Sequence, residues 1–460
     1  MEKEMGMDLR HLLECLDLKN INCHFIDVRI ERTFESTFLF QNGELIEAIE
    51  RPVVGAFVRL FHHGAWFYSS TTAVTELAGE IQQLIKQANL HKDLGNTYEL
   101  PAFNGIHHMI SKGDEAFSLI PFEQKIQIGT SYLLLVKEIE NVQLSRVGYR
   151  DLYKEKFYKS SVGTEFSYDF NQAGFHFGCT LKNQSQLFTD AFRKYASNFK
   201  DFNHLESDIL AYMKESQKFL HAKTVTPGKY KVVLSPEITG VFTHESFGHK
   251  SEADFMMGDD EAIKAWKLGS VVGSENLSIV DCGTHDNSSG YCPIDDEGTP
   301  ARKNYLIKNG VLTGRLHSTH TANVLKELPT GNARAMNFEY EPIVRMTSTY
   351  IEAGKVPFTE LLKQAGEGIY FHNFKHGSGG STFTIAPIRA YAIRNGELAE
   401  PILVSVLSGS VFETLKNIEA CGDDFHLESG AFGGCGKNGQ WPLPIADGGP
   451  SILVSEMQVS

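Results

Sequence analysis

Residues 231 to 254 read KVVLSPEITGVFTHESFGHKSEAD, and this stretch limits the fold more than any other. KVVLS is a short apolar run of the kind a buried strand carries. Ser235 stands where a helix N-cap belongs, and Pro236 suits the first helical position, where its missing N–H costs nothing. A helix starting there carries His244, Glu245 and His249 inward on one element. In the zinc-protease pattern H-E-x-x-H the two histidines are four apart and share a helix face. Here they are five apart, which on a regular helix separates them by roughly 140°. A single π-type turn returns such residues to one face, and these turns cluster at functional sites. Gly248, next to His249, supplies backbone freedom for the deformation.

The residue types fit metal chemistry. Two imidazoles can ligate zinc, and Glu245 beside the first is placed to act as a general base. A catalytic zinc typically has three protein ligands and one open position, so a third donor must come from elsewhere. Cys435, in the glycine-dense AFGGCGKNGQWPLP, is one candidate, because a thiolate binds zinc well and glycines let the backbone approach closely. The plain alternative for Cys435 is a buried free thiol beside a turn. Glu252, Asp254 and Asp281 compete for the third position, and spacing alone does not choose among them.

Composition excludes several other functions. At 460 residues the chain exceeds what one core usually organises, which predicts two domains. Its net charge of -14 disfavours nucleic acid and anionic lipid, both of which need a basic surface. No stretch approaches the roughly 20 apolar residues that span a bilayer. The opening MEKEMGMDLRHLLECLDL reads as an amphipathic helix rather than a signal peptide. Seven scattered cysteines, an odd number, argue against a disulfide framework and for a reducing cytoplasm.

The expected architecture is α+β in two domains, residues 1 to 222 and 223 to 460, with the Thr/Pro/Gly stretch AKTVTPGKY at the boundary. INCHFIDVRIE alternates like a half-buried strand, and Asn42-Gly43, Asn309-Gly310 and Asn395-Gly396 mark hairpins. Helices are expected at 74 to 88, 122 to 140, 204 to 221, 357 to 365 and 411 to 419. His62 and His63 read as solvated turn residues. Asp295, Asp296 and Glu297 read as a structural turn with solvated carboxylates, with a substrate-amine contact or a partner for a ligating histidine as the alternative. Arg334 suits either a peptide carboxylate or carbonyl, or an ion pair that supports a loop. His317 and His320 are assigned a polar role at the edge of the site. Cys282 and Cys292 lack the spacing of a second zinc site.

Several ordered blocks together resemble the TldD/PmbA peptidases: HESFGHKSEADF, IDDEGTPARKNYLIKNGVLTG, TGNARA, VRMTSTYIEAG and DDFHLESGAFGGCGKNGQ. The H-E-x-x-x-H spacing is similar to the TldD branch, since the PmbA (TldE) branch lacks it. That resemblance implies one zinc per chain held by His244, His249 and Cys435, with Glu245 as the catalytic base. It implies an α/β N-terminal domain and a β-rich C-terminal domain that carries the motif helix. It also implies a homodimer, or a heterodimer with a PmbA/TldE-like subunit, enclosing a cavity that admits unfolded or modified peptides. Two departures from the family pattern, at Ser378 to Thr384 and at Trp441, bear on substrate preference. A peptide-binding subunit without activity, or a metal-dependent amide hydrolase acting on non-peptide substrates, are the alternative functions.

Overall fold

Long alternating runs build the first sheet. In the computed structural model, which describes residues 6–98, 105–108, 116–184 and 186–460, β1 (Phe25–Gln41) and β2 (Glu44–His62) form a hairpin. Its turn is Asn42-Gly43, with φ of 50° and 84°, the mirror-image turn that matches strand twist. β3 (Ala65–Thr71) follows a second such turn in which His63 adopts φ 50°, while His62 is buried at the strand end and bonds Asn89 at 3.1 Å. His62 is therefore not the solvated turn residue that the sequence suggested.

β4 (Ile106–His108), β5 (Val142–Ser160), β6 (Glu165–Lys182) and β7 (Leu187–Ala196) complete the sheet. The order is β3-β2-β1-β5-β6-β4, with β7 beside β6. Helices cover it at both ends. α1 (Leu9–Glu14) and α2 (Leu77–Asn89) bury Leu9, Leu13, Leu77, Ile81, Leu84 and Ala88 against Val28, Ile30, Val58 and Leu60. The apolar spacing of α2 is what a one-sided helix requires. Residues 1 to 5 of the expected first helix lie outside the described residues. α3 (Phe122–Tyr132) and α4 (Glu206–Lys218) enclose an aromatic core of Phe38, Tyr149, Phe175 and Phe177.

From Lys223 the pairing changes. β8 (Lys223–Thr224) and β9 (Gly228–Leu234) enter an eight-stranded sheet in which β9 lies between strands Gly368–Gly379 and Ile452–Val459. Strand Gly368–Gly379 also pairs with Thr382–Arg394, which closes five of the strands into a ring. A six-stranded sheet, containing Ile279–Cys282, Ser348–Ile351 and Ala446–Gly449, stands opposite. The motif helix α5 (Pro236–Thr243) lies between the two, burying Ile238, Val241 and Phe242 in their shared core. The chain is thus α+β, with its motif helix set among strands. No helix of the described residues is long and apolar enough to cross a membrane.

The seam between the first sheet and the later strands is ionic. Arg59 on β2 bonds Asp27 of β1 and reaches Glu297 at 2.7 Å. Arg29 meets Glu31 at 3.0 Å and Asp296 at 3.6 Å, while Lys156 of β5 meets Asp296 at 2.5 Å and Lys154 meets Glu31 at 3.2 Å. Four cations thus face four anions in a buried layer. Burial works against the Asp296 carboxylate, yet Lys156 and Arg29 hold it below the usual range. Burial, with Glu297 adding to it, pushes Asp295 well above that range, and its oxygens accept backbone N–H bonds from Glu297, Thr299 and Ala333. The acidic run is therefore a buried anchor and not a solvated turn. Its partners are cations of strands more than a hundred residues away, which no local pattern announces.

Candidate metal centre

Ser235 caps α5 by accepting the Ile238 N–H at 3.2 Å, and Pro236 occupies the first helical position. The helix then widens. Residues His244–Gly248 form a π-turn, closed by the His249 N–H donating to the His244 carbonyl. Gly248 keeps ordinary helical angles, φ −55° and ψ −55°, so its backbone freedom is not what permits the turn. The glycine is needed for space instead: a Cβ there would lie 2.1 Å from Met346 Sδ.

The widened turn brings His244 and His249 together, with ring centroids 4.9 Å apart. Cys435 approaches from a separate hairpin, strands Cys435–Lys437 and Gln440–Leu443 joined at Asn438-Gly439 with φ of 50° and 77°. Cys435 Sγ lies 3.5 Å from His249 Nε2. One donor atom from each of His244, His249 and Cys435 falls within 4.8 Å of the other two.

Electrostatics shape this cluster. Burial works against the Cys435 thiolate, but His244 and His249 outweigh it and pull the thiol down to about 5. Reciprocally, burial opposes the charged imidazoles while Cys435 raises both, His249 to about 10 with help from Glu252. A thiolate is the stable form of this sulfur, and a thiolate is the form that binds metal. His244 Nδ1 is also buried, with no hydrogen-bond partner among the described residues. Two imidazoles, one thiolate and an orphaned ring nitrogen fit a cation of zinc type.

The supporting residues are specific. Glu252 Oε2 bonds His249 Nδ1 at 3.2 Å, which leaves Nε2 turned toward the sulfur. Such a carboxylate fixes the tautomer and aim of a ligating histidine. Lys437 Nζ reaches the same Glu252 oxygen at 3.1 Å, Asp254 at 2.7 Å and the Val344 carbonyl at 2.8 Å. Arg345 donates to the Cys435 carbonyl at 2.7 Å. The hairpin that carries the sulfur is thereby clamped to the helix that carries the imidazoles. Of the three carboxylates that competed with Cys435, Glu252 and Asp254 serve this clamp. Asp281 is buried among Thr347, Thr349 and Asn332, which satisfy it.

Glu245, His244 and Cys435 open onto a cleft of about 500 Å³. Strand Gly368–Gly379 crosses over the helix there so closely that a Cβ on Gly379 would lie 1.7 Å from the Glu245 carbonyl oxygen, and one on Gly377 would lie 3.0 Å from Glu245 Cγ. Ser378 and Thr384, bonded to each other at 2.7 Å, are exposed on the paired strands just beyond. Trp441, 63 % exposed, lines the cleft. Its wall also carries Glu237 and Asp447. Burial, with Glu428 adding to it, pushes Glu237 up to about 8, and burial pushes Asp447 up to about 7.

Other residues singled out from the sequence lie apart from this centre. Arg334 is buried and donates to the carbonyls of Met346 and Pro444, so it supports a loop through backbone oxygens. His317 bonds Glu327 at 3.0 Å and Thr321 at 3.1 Å, a satisfied internal histidine and not one at the edge of the site. Cys282 and Cys292 are free thiols. Lys437 and Arg345 escaped sequence reasoning. The signal for Lys437 was the Asn438-Gly439 pair, which makes Cys435 and Lys437 alternate residues of one strand and so sets them on one face.

Comparisons with known proteins point to one family. The sequence profile of the PmbA/TldA metallopeptidase C-terminal domain matches residues 227–460, and that of PmbA/TldA metallopeptidase domain 1 matches residues 26–89. A metalloprotease of Synechocystis sp. is 34% identical over 452 residues, covering 95% of this chain and 94% of that protein. A zinc metalloprotease TldD homolog of Saccharolobus solfataricus is 27% identical over 456 residues, covering 96% and 97%. Among solved structures, TldE from Thermococcus kodakarensis matches with a TM-score of 0.76 at 16% identity, over 95% of this chain and 97% of that one. At that identity the likeness is one of fold.

Proposed function

This chain belongs to the PmbA/TldD family of metallopeptidases, and from that premise we propose that it is a zinc-dependent peptidase of the TldD kind. Its substrates are unfolded or modified peptides, hydrolysed in a cavity that two chains enclose in the cytoplasm. The second chain is another copy or a TldE-like subunit. Residues 1 to 222 and 223 to 460 are its two domains. The observation that carries the proposal is the convergence of His244, His249 and Cys435 beside Glu245 in one cleft.

His244, His249 and Cys435 would hold one zinc per chain. A bound zinc supplies Lewis acidity for the scissile carbonyl and lowers the pKa of a nearby water. The protein's own residues do the rest. Glu252 keeps the His249 ring aimed, Lys437 keeps the sulfur hairpin seated, and the Gly377–Gly379 segment fixes the backbone of Glu245. The Glu245 carboxylate takes a proton from the attacking water and returns it to the departing amine nitrogen. The cleft is open enough for a short extended segment and too narrow for a folded domain.

Glu245→Gln should abolish cleavage of an unstructured peptide while the purified protein keeps its zinc, measured by elemental analysis. Cys435→Ala should lose most of the metal. Cleavage by the Glu245→Gln protein at the parental rate, or full zinc content without Cys435, would overturn this mechanism.

A further inference from the structure

A second cavity of about 380 Å³ adjoins the metal-facing cleft, and Ala431 and Gly433 of the glycine-rich loop line both. Its far wall is the face of the first sheet, and the strand register shows what that wall is made of. Arg51 of β2 stands opposite Glu35 of β1, Glu35 opposite Leu152 of β5, and Leu152 opposite Gln172 of β6. Directly opposed residues share a sheet face, so these four form one row, and all four line the cavity. Two residues along β6 from Gln172, on that same face, Gly174 lines the metal-facing cleft. One continuous wall therefore runs from the metal-facing cleft into the second cavity.

Two groups in this row are unspent. Gln172 is 3% exposed, and its Oε1 has no hydrogen-bond partner among the described residues. A buried amide oxygen without a partner is costly to the fold, so it is suited to accept an N–H from a ligand. Arg51, exposed at the other end of the row, has neither an ion pair nor a side-chain hydrogen bond among the described residues. Most of the other charges nearby are paired: Arg150 holds Glu35 at 2.8 Å, Lys125 holds Asp151 at 2.7 Å and Lys154 meets Glu31 at 3.2 Å. Glu339, exposed at the cavity wall, takes a hydrogen bond from the neutral Asn337 amide at 3.1 Å and keeps its charge.

We infer that this second cavity is an extended-substrate subsite, in which Gln172 accepts a peptide backbone N–H and Arg51 receives a carboxylate of the same peptide. The inference rests on the peptidase proposal for the identity of the ligand, but its residues are separate from the metal centre. Gln172 and Arg51 are three strand spacings apart, about 14 Å along the row, and an extended peptide advances about 3.4 Å per residue. The carboxylate is therefore carried about four residues beyond the amide that Gln172 holds. Either an acidic side chain at that distance or the C-terminal carboxylate of a peptide ending there supplies it. Arginine suits this role, since its planar fork matches a carboxylate.

The test measures binding on the zinc-loaded Glu245→Gln protein by fluorescence anisotropy, so that turnover does not intervene. The probes are labelled ten-residue Gly/Ser/Ala peptides carrying one Glu or one Gln at each position in turn, with amidated or free C termini. The parent should bind the peptide with the best-placed carboxylate, a Glu side chain or a free C terminus, at least about tenfold more tightly than its Gln or amidated twin. Arg51→Glu should erase that preference and Arg51→Lys should restore part of it, while Gln172→Leu should weaken Glu and Gln peptides alike. Amidated Glu peptides report the side-chain source, and free-acid Gln peptides the C-terminal one. Preference that survives Arg51→Glu unchanged, or no measurable binding of any peptide, overturns the subsite. Cleavage by the native protein with indifference both between Glu and Gln and between free and amidated C termini would sink the subsite and leave the peptidase standing. Preferential binding without any cleavage by the native protein would do the reverse.

Discussion

Two of the buried charge clusters among the described residues differ in completeness. At the seam, Arg29, Arg59, Lys154 and Lys156 meet Asp27, Glu31, Asp296 and Glu297, each charge with an opposite one within 4 Å. At the motif helix, a thiolate and two imidazoles lean on one another while His244 Nδ1 stays unpartnered and a cleft opens beside them. Burial and ionisable residues are common to both. What separates an anchor from a working site is whether the charges are already matched within the fold.

The hardest blow to this contrast falls on the seam. Arg59→Ala strands Asp27 and Glu297 in the interior, and removing one partner of a buried pair typically costs about 3–5 kcal/mol. Urea unfolding of the metal-free protein should show that loss, whereas Glu245→Gln should barely move the midpoint. Equal midpoints for the Arg59→Ala and parent proteins would mean the seam is not the anchor described.

Zinc should act on the other cluster. Added to chelator-treated protein at about a thousand times its Kd, a ligand bound only by the native state stabilises it by about 4 kcal/mol. Thermal unfolding should therefore shift upward on adding zinc for the parent and hardly at all for Cys435→Ala. Smaller changes are expected from the supports of the centre. Glu252→Gln should weaken zinc about 10- to 100-fold, as loss of a carboxylate behind a ligating histidine does, and competition with a chromogenic chelator would measure it.

An effect seen only as a pH dependence concerns Glu237, whose carboxyl is pushed up to about 8 in the folded chain from an ordinary value of 4.5. A raised folded value means that the native state holds this proton more tightly than the unfolded chain. The resulting stability is fully present below about pH 4.5 and is lost as the pH rises through about 8. Glu237→Gln should accordingly equal the parent near pH 4.5 and exceed it increasingly up to about pH 8. Parallel stability curves for the two proteins would remove Glu237 from the unmatched set.

The sequence made some of this legible, and physics explains the division. Ser235, Pro236 and the five-residue offset announce a capped helix with a π-turn because capping and helical period are local properties. The Asn-Gly pairs announce hairpins because both residues tolerate positive φ. His244 and His249 could be named from residue type and spacing, whereas Cys435 stood level with three carboxylates until the family resemblance singled it out. Glu252 could be named only as a rival ligand: its bond to Lys437 spans 185 positions, and no periodicity encodes it. Asp295 to Glu297 looked like solvated acids for the same reason, because Arg59 and Lys156 are far away in the chain. Gly248 was misjudged differently. A glycine suggests unusual angles, but here an ordinary helical glycine makes room for Met346.

The π-turn is, in effect, an insertion that the helix has swallowed without losing its axis. Deleting one residue between Glu245 and His249 would restore the textual spacing of a common zinc protease, and an ordinary α-turn in place of the widened one would again set the two imidazoles on one face. The turn therefore hides its extra residue from everything downstream, and Glu252 keeps its aim at Lys437. Spelling and shape part company at this helix: the letters depart from the common pattern while the working face does not.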